Sequence, residues 1–329
     1  MAKHRWLVVS LSLIALILFV SGCGNSQAAS SPSAVPDSFT IAYQPGLGSV
    51  SLITIKLQKT LEKQYPKTKI QWKVVNSGSA VREAVIANQA QLGSLGLPPF
   101  LVGWDRGFNW KVLTATNRSD GWFVVKDPNI KSLKDLKPTD KIGVVAPDSQ
   151  QAILIRKAAQ QQLGDAHALD KNLVTISSAD GEVALRNGQL TAQLSGSPFQ
   201  EREVAAGDHV IFHTKDIFGP VGAGLLVLPE KFYNQYPDFS KAFYKDYQDA
   251  VALNKANHEQ AAQFLAQDQG GGGSVANFKA LLDSPSFIFD TTPSGLVVYA
   301  KFMKSIGLTS KEPGSVKDFE LPTVYGTGS

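Results

Sequence analysis

The sequence predicts an α/β protein of two lobes, each a mostly parallel sheet with flanking helices, joined by two hinge crossovers. Three observations predict it. The chain of 329 residues has an ordinary globular composition, 43% hydrophobic and 18% charged, and is too long for one small core. Strand-like and helix-like stretches alternate, as parallel sheets require. One such block also occurs twice, about one hundred residues apart. In the first copy an apolar strand from Ile70 to Val75 enters Asn76-Ser77-Gly78-Ser79. A helix follows from Ala80 to Gln89, and a second apolar strand opens into Gly96-Leu97-Pro98-Pro99. In the second copy Val174 to Ser177 enters Ser178-Ala179-Asp180-Gly181, and a helix carries Ala184 and Leu185. Asn187-Gly188-Gln189 ends it, and a short strand opens into Ser195-Gly196-Ser197-Pro198-Phe199. Ala84 thus pairs with Ala184, Gly96 with Gly196 and Pro98 with Pro198, and Ile41 to Pro45 matches Ile142 to Pro147 upstream.

Taken in order, the chain starts with basic residues within Met1 to Arg5. A continuous apolar run from Trp6 to Val20 follows, broken only by Ser10 and Ser12, and then the small residues of Ser21-Gly22-Cys23. This is the tripartite pattern of an export signal. Its apolar run is shorter than the ~20 residues that a spanning helix needs. The chain's single cysteine stands at its end, which excludes intrachain disulfides and cysteine-based metal clusters. The stretch resembles a bacterial lipobox, in which lipid is attached to the cysteine, here Cys23, and cleavage falls just before it. A single acyl chain anchors only marginally, at about 0.8 kcal/mol per buried CH2, so several chains are needed for durable attachment. Asn25 to Ser38, rich in Ser, Ala and Pro, reads as a flexible tether. The expected divisions are a signal peptide at 1–22, a tether at 23–38, lobe one at 39–121 and lobe two at 122–217. Residues 218–329 return to complete lobe one. The folded body is expected outside the cytoplasm, lipid-anchored to the cell membrane.

Charge excludes one class of partner. Basic residues exceed acidic ones by four, Lys3 and Arg5 lie in the segment expected to be removed, and no basic run or interleaved Lys/Arg and Trp cluster exists. Nucleic-acid binding is not expected.

The candidate site residues come from where strands end. Ser38 to Ala42 is a strand, and the loop Gln44-Pro45-Gly46-Leu47-Gly48 after it contains two glycines that allow close backbone approach. Val50 to Tyr65 reads as one helix from its spacing of Leu52, Ile55, Leu57 and Leu61. Ser77, Gly78 and Ser79 stand at a strand-to-helix junction, where up to four backbone N–H groups lack intrahelical acceptors and face whatever lies above the sheet. Gly96, Leu97 and Pro98 then form a backbone wall that is not expected to turn helical before Phe100. Asn117 to Gly121 reads as a loop, Arg118 within it as an anion candidate, and Arg82 as a solvent-facing helix residue. Trp122 begins a strand passing between lobes, where it stacks on a ligand or plugs the hinge. Ser149, Gln150 and Gln151 open a second helix at the end of a strand, facing the first, and Ser195, Gly196 and Ser197 repeat the wall. Ligands of open parallel sheets collect at such C-terminal strand ends. Further on, Val221 to Leu228 matches the return crossover. The stripe Phe232, Tyr236, Phe239, Phe243, Tyr247 and Val251 reads as core, and Gln269 to Gly273 as a flexible break.

In this order the pieces resemble the solute-binding lipoproteins of ABC importers in the nitrate, sulfonate, taurine and thiamine-precursor group, of the type 2 periplasmic-binding-protein fold. The residues that carry the resemblance are Gln44 to Gly48, Asn88 to Gly93, Asp127 to Leu136, Gly224 to Pro237 and Thr292 to Leu296. Ala90-Gln91 and Leu190-Thr191-Ala192 depart from it, lacking the Asp common after the helix. The resemblance implies a monomeric clamp that closes on a small solute, without cofactor or metal, and presents it to the permease and ATPase subunits of an importer; the facing helix N-termini and several Ser favour a sulfonate-like anion, while Trp104, Trp110 and Trp122 permit a stacked heteroaromatic. Closure by the ligand requires contact with both lobes. Two alternatives share the fold. One is a lipoprotein that hands its ligand-bound form to a receptor. The other is a cofactor-precursor enzyme, against which His167, His209, His213 and His258 show no metal-ligand spacing and no nucleophile-base arrangement.

Overall fold

The structure, a computed structural model, describes residues 35–219, 222, 224–270 and 273–321. The expected signal peptide, Cys23, most of the expected tether, Val221, the centre of the Gly270 to Gly273 run and the tail from Pro322 lie outside the described residues.

Eleven strands form two sheets among the described residues. They are β1 (Ser38–Tyr43), β2 (Lys69–Val74), β3 (Leu92–Leu95), β4 (Trp110–Ser119), β5 (Trp122–Val125) and β6 (Ile142–Val144), followed by β7 (Leu173–Thr175), β8 (Ala192–Ser195), β9 (His209–His213), β10 (Gly224–Pro229) and β11 (Phe287–Phe289). The sheet of lobe one has the order β11-β4-β10-β3-β1-β2, that of lobe two β7-β6-β8-β5-β9. The repeat seen in the sequence is preserved in register. Ile41 is paired with Trp72 and Leu92, and Ile142 with Leu173 and Ala192, all in parallel ladders. Each sheet then takes one antiparallel strand in the equivalent place, β10 between β3 and β4, and β5 between β8 and β9.

The strands of each block feed helices capped by serine. Ser77 Oγ accepts from Ala80 N (3.1 Å) at the start of the helix Gly78–Ile86, and Ser177 Oγ from Asp180 N (3.2 Å) at the start of Ser178–Arg186. Ser149 Oγ accepts from Ala152 N (3.3 Å) ahead of Gln150–Leu163. Each such cap satisfies one otherwise orphaned amide and contributes about 1 kcal/mol.

Three expectations about elements are corrected. The helix Leu97–Asp105 begins at Leu97, with Pro98 and Pro99 inside its first turn. Proline fits there because first-turn amides have no intrahelical acceptor to lose. The helix expected from Val50 to Tyr65 is two, Val50–Gln58 and Thr60–Gln64, separated at Lys59, whose φ is 54°. The break leaves Leu61 buried with Ile55 in the same core. Asn117 to Ser119 is not loop: β4 continues through Ser119 because β11 pairs with it, Phe289 facing Asn117 and Phe287 facing Ser119.

Aromatic residues fill lobe one. Phe39 of β1 lies 5.0 Å from Phe239 and 5.5 Å from Phe243, ring to ring, on the helix Pro237–Ala256. The aromatic stripe of that helix is therefore core, and each fully buried Phe contributes roughly 1.5–3 kcal/mol. In lobe two Phe123 stacks on Phe212 at 4.8 Å.

The two crossovers are stitched together by one carboxylate. Asp120 Oδ2 lies 2.6 Å from His213 Nδ1 and accepts from Trp122 Nε1 (3.3 Å), while its Oδ1 accepts from Lys215 N (3.2 Å). Beside it Gly121 N donates to Thr214 Oγ1 (2.8 Å). The chain leaves and re-enters lobe one through adjacent, mutually bonded segments, the arrangement a hinge needs.

Candidate functional site

The C-terminal ends of the parallel strands of both sheets meet across a cavity of about 590 Å3, within the range of small-molecule sites. Lobe one supplies Gln44, Pro45, Asn76, Gly78, Ser94, Gly96, Pro99, Thr116 and Asn117. Lobe two supplies Ser149, Gln150, Gln151, Ser177, Ser178, Ala179, Ser195, Gly196, Ser197, Phe199 and Arg202.

Apart from Val50–Gln58, which follows a 3-10 turn ending at the lining residue Ser49, four helices of nine or more residues begin at this wall: Gly78–Ile86, Leu97–Asp105, Gln150–Leu163 and Ser178–Arg186. By helix geometry the first amides of each, such as those of Gln150 and Gln151, have no intrahelical acceptor. The partial positive charge of each terminus favours an anion by about 0.3–1 kcal/mol, up to ~2 when partly buried. Around these amides the lining is hydroxyl and carboxamide, with apolar patches from Val74, Leu95, Val145, Leu154 and Leu194.

Full charges at the wall are few and already paired. Arg202 is the one lining cation among the described residues, and it spans Phe199, whose ring centre is 4.9 Å from its guanidinium carbon, and Glu182, 2.5 Å from its Nη2. Asp268 is the one lining carboxylate among them, held by Lys56 Nζ at 2.6 Å and by the Tyr43 hydroxyl at 3.1 Å. With both charges paired, what the wall presents is chiefly helix and hydroxyl dipoles.

Behind Ser195 lies a buried acid. Glu203 Oε1 accepts from Ser195 Oγ (2.8 Å), and Oε2 has no hydrogen-bond partner among the described residues. Burial, with the nearby charges of Glu182 and Asp208, pushes its carboxyl up to about 7, against the opposing Ser195 hydrogen bond and the Arg202 charge.

The structure gathers ten of the seventeen residues singled out by sequence as ligand-binding: Gln44, Pro45, Gly78, Gly96, Ser149, Gln150, Gln151, Ser195, Gly196 and Ser197. Seven stand elsewhere. Gly46 lies in the loop but not on the wall, Ser77 is a cap, and Leu97 and Pro98 are buried in lobe one. Trp122 packs beside the second-lobe core of Val124 and Leu185. Arg118 pairs with Asp290 at 2.8 Å and lines a smaller cavity of about 150 Å3 that shares Ser119, Gln150, Leu154 and Thr214 with the main one. Ser79 reaches the other lobe instead, donating to Asp148 Oδ1 at 2.5 Å. Arg82, expected in solvent, is buried because its guanidinium bonds the same carboxylate. Sequence reasoning passed over Asn117, Ser178 and Arg202. Ser178 could have been found from the repeat, in which its counterpart in the first copy is Gly78. Arg202 has no sequence signal, since its partners are 3 and 20 residues away.

With that geometry in hand, comparison with known proteins is decisive for the family: residues 33–266 match the NMT1-like family. The chain belongs to that family. Its fold is the two-lobed fold of periplasmic binding proteins. This NMT1-like protein is 24% identical over 239 residues to an aliphatic sulfonates-binding protein of Escherichia coli, a match covering 71% of the chain and 72% of the relative. Its fold is that of the alkanesulfonate-binding protein SsuA of Xanthomonas axonopodis bound to MOPS, with a TM-score of 0.69 at 19% identity over 85% of this chain and 96% of that one. It is likewise similar to the periplasmic nitrate-binding protein NrtA of Synechocystis, with a TM-score of 0.63 at 13% identity over 77% and 74% of the two chains. No helix among the described residues of this NMT1-like protein is long and apolar enough to cross a membrane.

Proposed function

We propose that the chain is the extracytoplasmic solute-binding component of an ABC importer, a non-enzymatic clamp that captures a small organic anion of the sulfonate kind. The observation that carries this reading is the convergence of four helix N-termini from two lobes on one cavity whose one lining cation among the described residues is already paired. Such a wall suits a compact, weakly basic anion that accepts several N–H and O–H bonds, and its apolar patches suit a carbon tail. The names of the relatives support the sulfonate class, and the N-terminal pattern ending at Cys23 supports a lipid anchor at the membrane surface. Delivery of the captured solute to a permease and its ATPase is part of the same reading.

Calorimetry and thermal melting against alkanesulfonates of increasing chain length, taurine, nitrate and small carboxylates test it. Micromolar binding corresponds to about 8 kcal/mol. A sulfonate at one hundred times its dissociation constant stabilises by about 2.7 kcal/mol, a rise of several degrees in melting temperature. Arg202→Gln is expected to weaken binding only a few-fold. Heat and stabilisation from neutral or cationic solutes, with none from any anion in the series, overturn the reading.

A further inference from the structure

A smaller cavity opens off the main one at the hinge. Its volume is about 150 Å3, and the two meet along Ser119, Gln150, Leu154 and Thr214, which line both. One water needs only about 10–15 Å3 of such space, so the smaller cavity has room for several non-hydrogen atoms. The hinge supplies Asp120 and Lys215 to it, and lobe one supplies Arg118, Ser286, Ile288 and Tyr299. Every full charge on this lining is already paired: Arg118 with Asp290 at 2.8 Å, and Asp120 with His213 at 2.6 Å and with Lys215 at 3.7 Å. One polar group is not. Tyr299, on the helix Leu296–Ser305, is fully buried with its ring 4.4 Å from that of Phe218, and its hydroxyl has no hydrogen-bond partner among the described residues. Burial raises the pKa of this hydroxyl, which the nearby Gln150 side chain only partly opposes, so the group stays a protonated donor. A buried donor without an acceptor is costly, and bringing an acceptor to it is favourable.

We infer that this side cavity is a subsite for the far end of the captured solute, and that the solute is a sulfonate whose carbon chain carries a neutral hydrogen-bond acceptor, such as an ether or carbonyl oxygen, near that end. The inference rests on the solute-binding reading and adds the second half of the molecule to it. The anionic head stays among the helix N-termini of the main cavity. Gln150 is the first residue of its helix, and Leu154 stands four residues on, on the same face. Because both line both cavities, the solute's chain passes from one space to the other along that face. Leu154 then gives the chain apolar contact, and the Tyr299 hydroxyl donates to the acceptor. A second anion is a poor occupant, since Arg118 and Lys215 are each held by a carboxylate and Asp120 repels it. A plain alkyl end is inferior as well, because it leaves the Tyr299 hydroxyl unpaired. One such hydrogen bond corresponds to about five- to tenfold in affinity.

Calorimetric titration with matched sulfonates tests the subsite. The probes are ethanesulfonate, which is long enough for the head site alone, a series of longer n-alkanesulfonates, and for each of these its analogue with an ether oxygen in place of the penultimate methylene. Tyr299→Phe removes the donor and nothing else, and Ile288→Trp narrows the side cavity; neither residue lines the main one. At the best chain length, the ratio of ether to alkane affinity is expected to be about five- to tenfold higher in the parent than in Tyr299→Phe. Ile288→Trp is expected to weaken the long sulfonates of both kinds. Ethanesulfonate is expected to bind both variants as it binds the parent. Ile288 is 45% exposed, so its replacement serves where Tyr299→Phe disturbs the melt. An ether-to-alkane ratio that Tyr299→Phe leaves unchanged, or long sulfonates that bind Ile288→Trp as tightly as the parent, overturns the subsite and makes the smaller cavity a water-filled gap at the hinge; ethanesulfonate binding then shows that the head site stands without it. If no sulfonate binds the parent, the solute reading falls, and the subsite with it.

Discussion

Replacing Glu203 by glutamine should remove a pH dependence of stability that this one buried acid creates. The ordinary glutamate value of 4.5 is raised to about 7 in the folded protein, first by burial. Between those values the native state keeps a proton that the unfolded chain has released. Stability contributed by the protonated group is therefore fully present below pH 4.5 and is lost as pH rises through 7. Each tenfold difference in proton affinity between the two states corresponds to about 1.4 kcal/mol, so the loss by pH 8 is on the order of 3 kcal/mol. Glutamine keeps the acceptor for Ser195 Oγ and carries no charge to desolvate at any pH. The assay is a set of thermal and urea melts of both proteins from pH 4.5 to 8.5. Glu203→Gln should match the parent at the acid end and exceed it at pH 8 by roughly 6 °C, taking about 2 °C per kcal/mol for a chain of this size. Two melting curves that run parallel across the whole range, or a glutamine variant equally destabilised at both ends, would refute the reasoning.

Two further substitutions probe the scaffold. A Cβ added at Gly103 would stand 2.5 Å from Cζ2 of the fully buried Trp110, so Gly103→Ala should cost about 1–3 kcal/mol through overpacking, read as a lower urea midpoint; an unchanged midpoint would mean the helix shifts freely. Lys59 is an exposed residue in the left-handed conformation between two helices, which costs a side chain roughly 1 kcal/mol that glycine avoids, so Lys59→Gly should raise the melting temperature by a few degrees, and a fall would show that the side chain supports the bend.

Much of the architecture was legible because the duplicated block keeps the residues that do local structural work. The helices Gly78–Ile86 and Ser178–Arg186, and the strands Leu92–Leu95 and Ala192–Ser195, stand one hundred residues apart at both ends. Serine caps and post-strand glycines mark them in both copies, and those same junctions supply much of the cavity wall. Part of what was illegible depends on residues distant in the chain. Arg82 looks like any helix-interior arginine until Asp148, 66 residues away, is brought against it. Arg118 looks like a loop cation until β11 extends the strand beneath it and Asp290 neutralises it. Pro98 and Pro99 were misleading for a local reason, since two prolines signal either a block to helix or its first turn, and only the tertiary setting selects the second. Lys59 carries no mark at all, its left-handed turn being imposed by the packing of the helices on either side.

The strand order has a consequence in time. Every strand of the second sheet comes from one unbroken stretch, β5 to β9, so that sheet can close as soon as His213 has been made. The first sheet has a gap at its centre until β10 arrives to join β3 to β4, and its last edge, β11, comes later still. Chain order therefore completes the strands of the inserted half before those of the half that surrounds it. Loop-closure entropy must be met across more than one hundred residues before that central strand is rewarded by its two neighbours, which makes its docking the slow, late event of assembly.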